Sequence, residues 1–241
     1  MGRRLTILIA VVLGACAADL PDEHDEPADF EEVPAGDGKA DTVSATFNPN
    51  TVLTDALFID STAMDVSDMQ EFLENTPYGT TSWLATHTVN GVSAAQMIVD
   101  AARAESINPL LLLTRMQVEA TLVSKTTTPS QTRINTALGC ACPDTGGCAS
   151  QYRGLAAQLT CGARTLRRWY DGSVDASGEW RRGVAKKTLD PKLVTPTNHA
   201  TASLYAYTPW VLTNRGGNWL VWNVTRKYVR HAEDTGLIPT P

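Results

Sequence analysis

The residue most able to do chemistry is a glutamate on an apolar helical face. Residues 107–125 read INPLLLLTRMQVEATLVSK. Asn108 is a good helix N-cap, and Pro109 follows at the first helical position, where its missing N–H costs nothing. Leu110 to Leu113 anchor the run in a core. At 3.6 residues per turn, Leu112, Met116, Glu119 and Val123 fall on one face of a helix spanning 110–125. Apolar walls destabilise a carboxylate anion, and a proton donor at neutral pH needs that effect. Glu119 is therefore the candidate general acid. The structural alternative is a glutamate that pairs with a buried arginine, or lies at the edge of the stripe and reaches water.

The order Asn-Pro, leucine run, Gln-x-Glu resembles the catalytic helix of lysozyme-like lytic transglycosylases. Three blocks, INPLLLLTRMQVEATLV, ALGCACPDTGGCASQYRGLAAQ and NHATASLYAYTPW, together resemble a family of secreted bacterial lysozyme-like proteins. The resemblance implies a mainly α, lysozyme-like single domain with a small β-hairpin. It also implies cleavage of peptidoglycan between its two amino sugars, with Glu119 as the acid and no cofactor. Ala120 stands where the transglycosylases usually carry Ser. Gly154-Leu155-Ala156-Ala157-Gln158 loosely echoes their Gly-Leu-Met-Gln, with one residue extra. Ala206-Tyr207-Thr208 echoes their Ala-Tyr-Asn. The first functional expectation is a lipid-anchored lytic transglycosylase or muramidase. A non-catalytic, glycan-binding lipoprotein is the alternative.

Four further residues are candidates for the glycan groove. Tyr207 and Trp210 offer faces that can stack on the C–H faces of sugars. Gln158 can hydrogen-bond a sugar acetamide. Tyr152 belongs to an apolar stripe with Leu155, Leu159, Ala163, Leu166 and Tyr170. Arg153, Arg164 and Arg168 lie on another face of the same helix, either solvated or facing an anionic wall. Asp144 is the nominated second carboxylate. Trp219 and Trp222 sit close together on the last helix, which suits a core.

Four cysteines lie in the folded part: Cys140, Cys142, Cys148 and Cys161. An even number in an exported chain reads as two disulfides, and three pairings are possible. Cys140–Cys142 strains bridge geometry. Cys142–Cys148 would close CPDTGGC, where Pro143 and Gly146-Gly147 supply turn chemistry, and would leave Cys140–Cys161. The spacing lacks the paired C-x2-C of a structural zinc site. No metal site is expected, since the histidines show no paired-ligand spacing. No phosphate loop, nucleophile elbow or basic–aromatic tract for nucleic acid is present.

The elements that must position these residues occupy only part of the 241-residue chain. Residues 1–15 have a basic start at Arg3 and Arg4 and a short apolar core from Leu5 to Leu13. That core is too short for a membrane span. With Leu13-Gly14-Ala15-Cys16 it reads as a lipoprotein signal peptide lipidated at Cys16. The expected location is the cell envelope, with the outer membrane favoured because Ala17 and Ala18 follow the cysteine. Residues 16–45 hold ten acids against one base and read as an acidic disordered tether. The formal charge of −6 therefore belongs to the tether, and residues 46–241 are close to neutral. Their helix signals fall at 66–74, 94–105, 110–125, 151–170, 200–207 and 218–232, with a small hairpin inside 180–195. The expected partners are peptidoglycan strands and, through the lipid, a membrane.

Overall fold

The computed structural model describes residues 29–31, 42–143 and 147–240. The signal peptide, Cys16, most of the acidic segment and Asp144 lie outside them. Among the described residues there are eight α-helices. They are α1 (Asp55–Ile59), α2 (Val66–Glu74), α3 (Ala94–Ala104), α4 (Pro109–Ala120), α5 (Gln131–Asn135), α6 (Leu155–Val174), α7 (His199–Tyr207) and α8 (Gly217–Asp234). The fold is mainly α, as the sequence implies. No described helix is long and apolar enough to cross a membrane.

Helix α4 is the axis of the molecule. Asn108 caps it, its side chain accepting from Leu110 N–H at 2.9 Å, with Pro109 in the first turn. Every residue from Pro109 to Gln117 is buried. A helix buried all round needs neighbours on every side, and α3, α6 and α8 supply them. Trp219 and Trp222 of α8 are buried in this core. The other helices begin where side chains satisfy the orphan N–H groups. Asp65 and Asp68 form a reciprocal capping box on α2. Asn198 accepts from Thr201 N–H at 2.8 Å to open α7, which packs along α6.

Two short antiparallel hairpins complete the fold. Thr88–Val89 (β1) pairs with Val92–Ser93 (β2) around Asn90-Gly91, both at positive φ, as a two-residue hairpin turn of this type requires. Lys186–Lys187 (β3) pairs with Leu193–Val194 (β4), inside the stretch expected to hold a hairpin. Its Leu-Asp-Pro turn is pinned by Asp190, which accepts from Thr188 Oγ1 and from the N–H groups of Val211 and Leu212.

Two expectations change. Helix α4 stops at Ala120, not near 125, because Thr121 is left-handed at φ 47° and turns the chain back. Val123 is therefore off the helix and does not share a helical face with Glu119. The acidic segment is also not uniformly remote from the domain, since Asp29–Glu31 lie against α4 and α8. Asp29 is 2% exposed.

Candidate functional site

Glu119 ends its helix in an ion pair with Arg115, one turn earlier. Arg115 is 1% exposed, whereas the Glu119 side chain keeps 31%. The buried arginine sits on α4 with its guanidinium 4.1 Å from the centre of the Tyr207 ring. Among the described residues Nε and Nη1 of Arg115 have no hydrogen-bond partner, and its charge is met by Glu119 and the ring face. A glutamate stands among leucines here because a buried cation beside it needs a counter-charge.

A single turn gathers the rest of this cluster. Gly139, at φ 67°, brings its backbone against the Glu119 carboxylate, and a Cβ there would stand 3.1 Å from Oε2. The preceding carbonyl, of Leu138, accepts from the Tyr207 hydroxyl at 2.8 Å. Burial pushes the Tyr207 phenol up to about 12, with Arg115 opposing and Glu119 adding to the shift. The Leu138 and Cys140 N–H groups donate to Gln158 Oε1 at 3.2 and 3.1 Å. Gln158 Nε2 donates to the carbonyls of Cys140 and Tyr152 at 2.9 and 2.6 Å. Gln158 is fully buried, so its amide holds the turn and has no exposed face for a sugar acetamide. The disulfides are Cys140–Cys161 and Cys142–Cys148. The first ties this turn to α6 and the second closes the small loop after it.

The groove candidates therefore separate. Tyr207 joins Arg115 and Glu119 through its ring and hydroxyl. Trp210 is 38% exposed, but its contacts run to α8, its carbonyl accepting from Asn218 N–H at 2.9 Å. Tyr152 is not in the core: it precedes α6 and is 36% exposed. It lines a cleft of about 450 Å³ together with Gln151, Thr160, Arg164 and Arg168. Arg164 there pairs with Glu105 at 3.3 Å, and the Arg168 guanidinium lies 4.7 Å from the Trp169 ring centre. Arg153 instead donates from Nε to the Cys148 carbonyl. A second cleft, of about 280 Å³, continues past Arg164 to Met97, Asp100 and Glu105. Glu119 lines neither. Among the described residues no group of His, Cys, Asp and Glu is arranged to hold a metal ion.

Sequence reasoning did not single out Arg115. Its signal was available: an arginine four residues before a glutamate, both inside a leucine-rich helix.

The chain is a mainly helical, disulfide-tied domain built around a buried arginine paired with a partly exposed glutamate. The family model "LasA, N-terminal domain" matches residues 51–208, and the chain belongs to that family, one of secreted bacterial peptidase-related proteins. The match runs from just before α1 to the end of α7. It is not to a lysozyme-like family. No curated protein and no solved structure matches the chain.

Proposed function

We propose that this domain holds cell-wall glycan at the envelope without cutting it, on a chain anchored by lipid at Cys16. The observation that carries this reading is the separation of Glu119 from the cleft that suits a ligand. Glu119 faces Arg115 and Gly139. The α6 cleft offers the exposed Tyr152 ring beside Gln151, Arg164 and Arg168. An aromatic face suits a sugar ring, an amide suits an acetamido group, and guanidinium forks suit the carboxylates of the wall peptide.

One observation favours cleavage instead. The Glu119 side chain keeps 31% exposure at the end of α4, so a glycosidic oxygen can approach it. In that reading Glu119 gives its proton to that oxygen, then takes one from a substrate hydroxyl or from water. One experiment separates the two. The mature chain is incubated with purified peptidoglycan, bound protein is sedimented, and the supernatant is analysed by mass spectrometry. Binding without soluble fragments is expected. Tyr152→Ala should weaken it about tenfold, the equivalent of roughly 1.4 kcal/mol, while Glu119→Gln leaves it unchanged. Fragments released by the wild type and lost in Glu119→Gln would establish the glycosidase. Absence of both binding and fragments would refute both readings.

A further inference from the structure

We propose that the surface between α4 and α8 is a peptide-binding site for an acidic–aromatic motif, and that Asp29-Phe30-Glu31 of the chain's own N-terminal segment is its ligand. The carboxylate of Asp29 is buried and both its oxygens are held. Oδ1 accepts from the Tyr78 hydroxyl at 2.6 Å and from Lys227 Nζ at 2.9 Å. Oδ2 accepts from Gln117 Nε2 at 2.7 Å. Three donors from three separate parts of the fold converge on one anion.

These donors are fixed by the domain itself. Gln117 Oε1 accepts from the N–H groups of Val123 and Ser124 at 3.1 and 3.0 Å, which turns its Nε2 outward to the carboxylate. The left-handed turn at Thr121 brings those two N–H groups back to Gln117. Tyr78 lies 3.0 Å from the Tyr228 hydroxyl, and burial and then the Asp29 charge hold its phenol protonated, far above the usual range. Lys227 sits 5.0 Å from the centre of the Tyr78 ring. A half-buried ammonium and two neutral donors aimed at one point suit an anion, since charge-assisted hydrogen bonds to a carboxylate are the stronger kind.

The remaining contacts read a peptide, not a free carboxylate. Asn223 Nδ2 donates to the carbonyls of Asp29 and Glu31 at 2.7 and 2.8 Å, so one amide grips the main chain on both sides of Phe30. The Phe30 ring stacks on Trp219, 6.4 Å between centres and 12° from parallel. The site thus specifies an acid, then an aromatic residue, then any residue offering its carbonyl. Asp29–Glu31 and the α8 residues that hold them all lie outside residues 51–208 matched by the family. This site is additional to the glycan cleft and does not depend on it.

The test uses the mature chain and a fluorescent synthetic peptide of residues 27–33, followed by anisotropy. A chain carrying Asp29→Ala and Phe30→Ala should bind the peptide at least tenfold more tightly than the wild type, whose site is filled. Replacing the aspartate of the peptide by Asn should remove that binding. Equal affinity for both chains, equal affinity of the Asn peptide, or no binding to either chain overturns the proposal. A second measurement needs no variant. An Asp-directed endoprotease should cut the Ala28–Asp29 bond at least tenfold more slowly in the wild-type chain than in the free peptide. Equal rates overturn it.

Discussion

Replacing Gln158 by Ala should destabilise the domain by about 3–6 kcal/mol. The side chain is fully buried and serves four backbone groups: the N–H groups of Leu138 and Cys140 and the carbonyls of Cys140 and Tyr152. Leaving a buried backbone group unsatisfied costs about 1–3 kcal/mol. Tyr152 is exposed, so water can replace its partner. Three losses remain, and the lower half of the range applies because water can enter the space left by the side chain. That is a large share of the ~5–15 kcal/mol that keeps a typical domain folded. Gln158→Glu is the sharper probe. It preserves volume but turns an acceptor toward two carbonyls, so it should cost at least as much as Ala. The assay is urea unfolding with the disulfides intact, followed by tryptophan fluorescence. A loss below about 1 kcal/mol for both variants would refute the reasoning and return Gln158 to the list of ligand contacts.

Two further predictions rest on single positions. Gly217 has φ 54°, and a Cβ there would stand 2.7 Å from the Trp210 carbonyl oxygen. Left-handed strain and a clash with rigid backbone should make Gly217→Ala cost about 2–4 kcal/mol, measured by the same unfolding; a neutral result would contradict the geometry. Burial works to raise the Asp190 carboxyl, but the N–H donors of Leu212 and Val211 and the Thr188 hydroxyl outweigh it and hold it below its ordinary 3.8. A lowered folded value adds stability above pH 3.8 and loses it as pH falls through that folded value. The melting temperature of Asp190→Asn should therefore lie below that of the wild type at pH 7, and the gap should close in strong acid. A gap constant with pH would remove Asp190 from this role.

Elements that open with strong caps were legible in the sequence. The expected starts at 66, 94, 110 and 200 fall within a residue of α2, α3, α4 and α7, which Asp65, Ser93, Asn108 and Asn198 cap. The end of α4 was not, because Thr121 takes a left-handed conformation with no glycine to signal it. The short α1 and α5, five residues each, are too brief for a periodic pattern. The cysteine spacing led to the pairs that form. Glu119 stood out as a charge among leucines, yet the sequence could not say whether its partner was substrate or arginine. Gln158 shows the limit most clearly. Its backbone partners in the turn lie 18 and 20 residues upstream, and nothing in a glutamine's neighbours announces them. The acidic segment failed for the opposite reason. Averaged over thirty residues it reads as solvated, and the average hides Phe30, the lone aromatic that marks the docked part.

Under the proposed lipid anchor at Cys16, the contact of Asp29–Glu31 with α4 and α8 caps how far the domain can stand from a membrane. For a chain held at Cys16, thirteen residues lead to Asp29, and a fully extended chain spans at most about 3.5 Å per residue. The upper limit on that distance is then about 45 Å. With those three residues released, the next described residue bonded to the domain is Thr42, and the upper limit doubles to about 90 Å. The space the domain can sweep grows with the cube of that length, so undocking dilutes it about eightfold against any one point of the wall while letting it reach more distant layers. On a lipid-anchored chain, Asp29–Glu31 in the Tyr78–Gln117–Lys227 pocket would thus act as a length adjuster, trading local concentration for range.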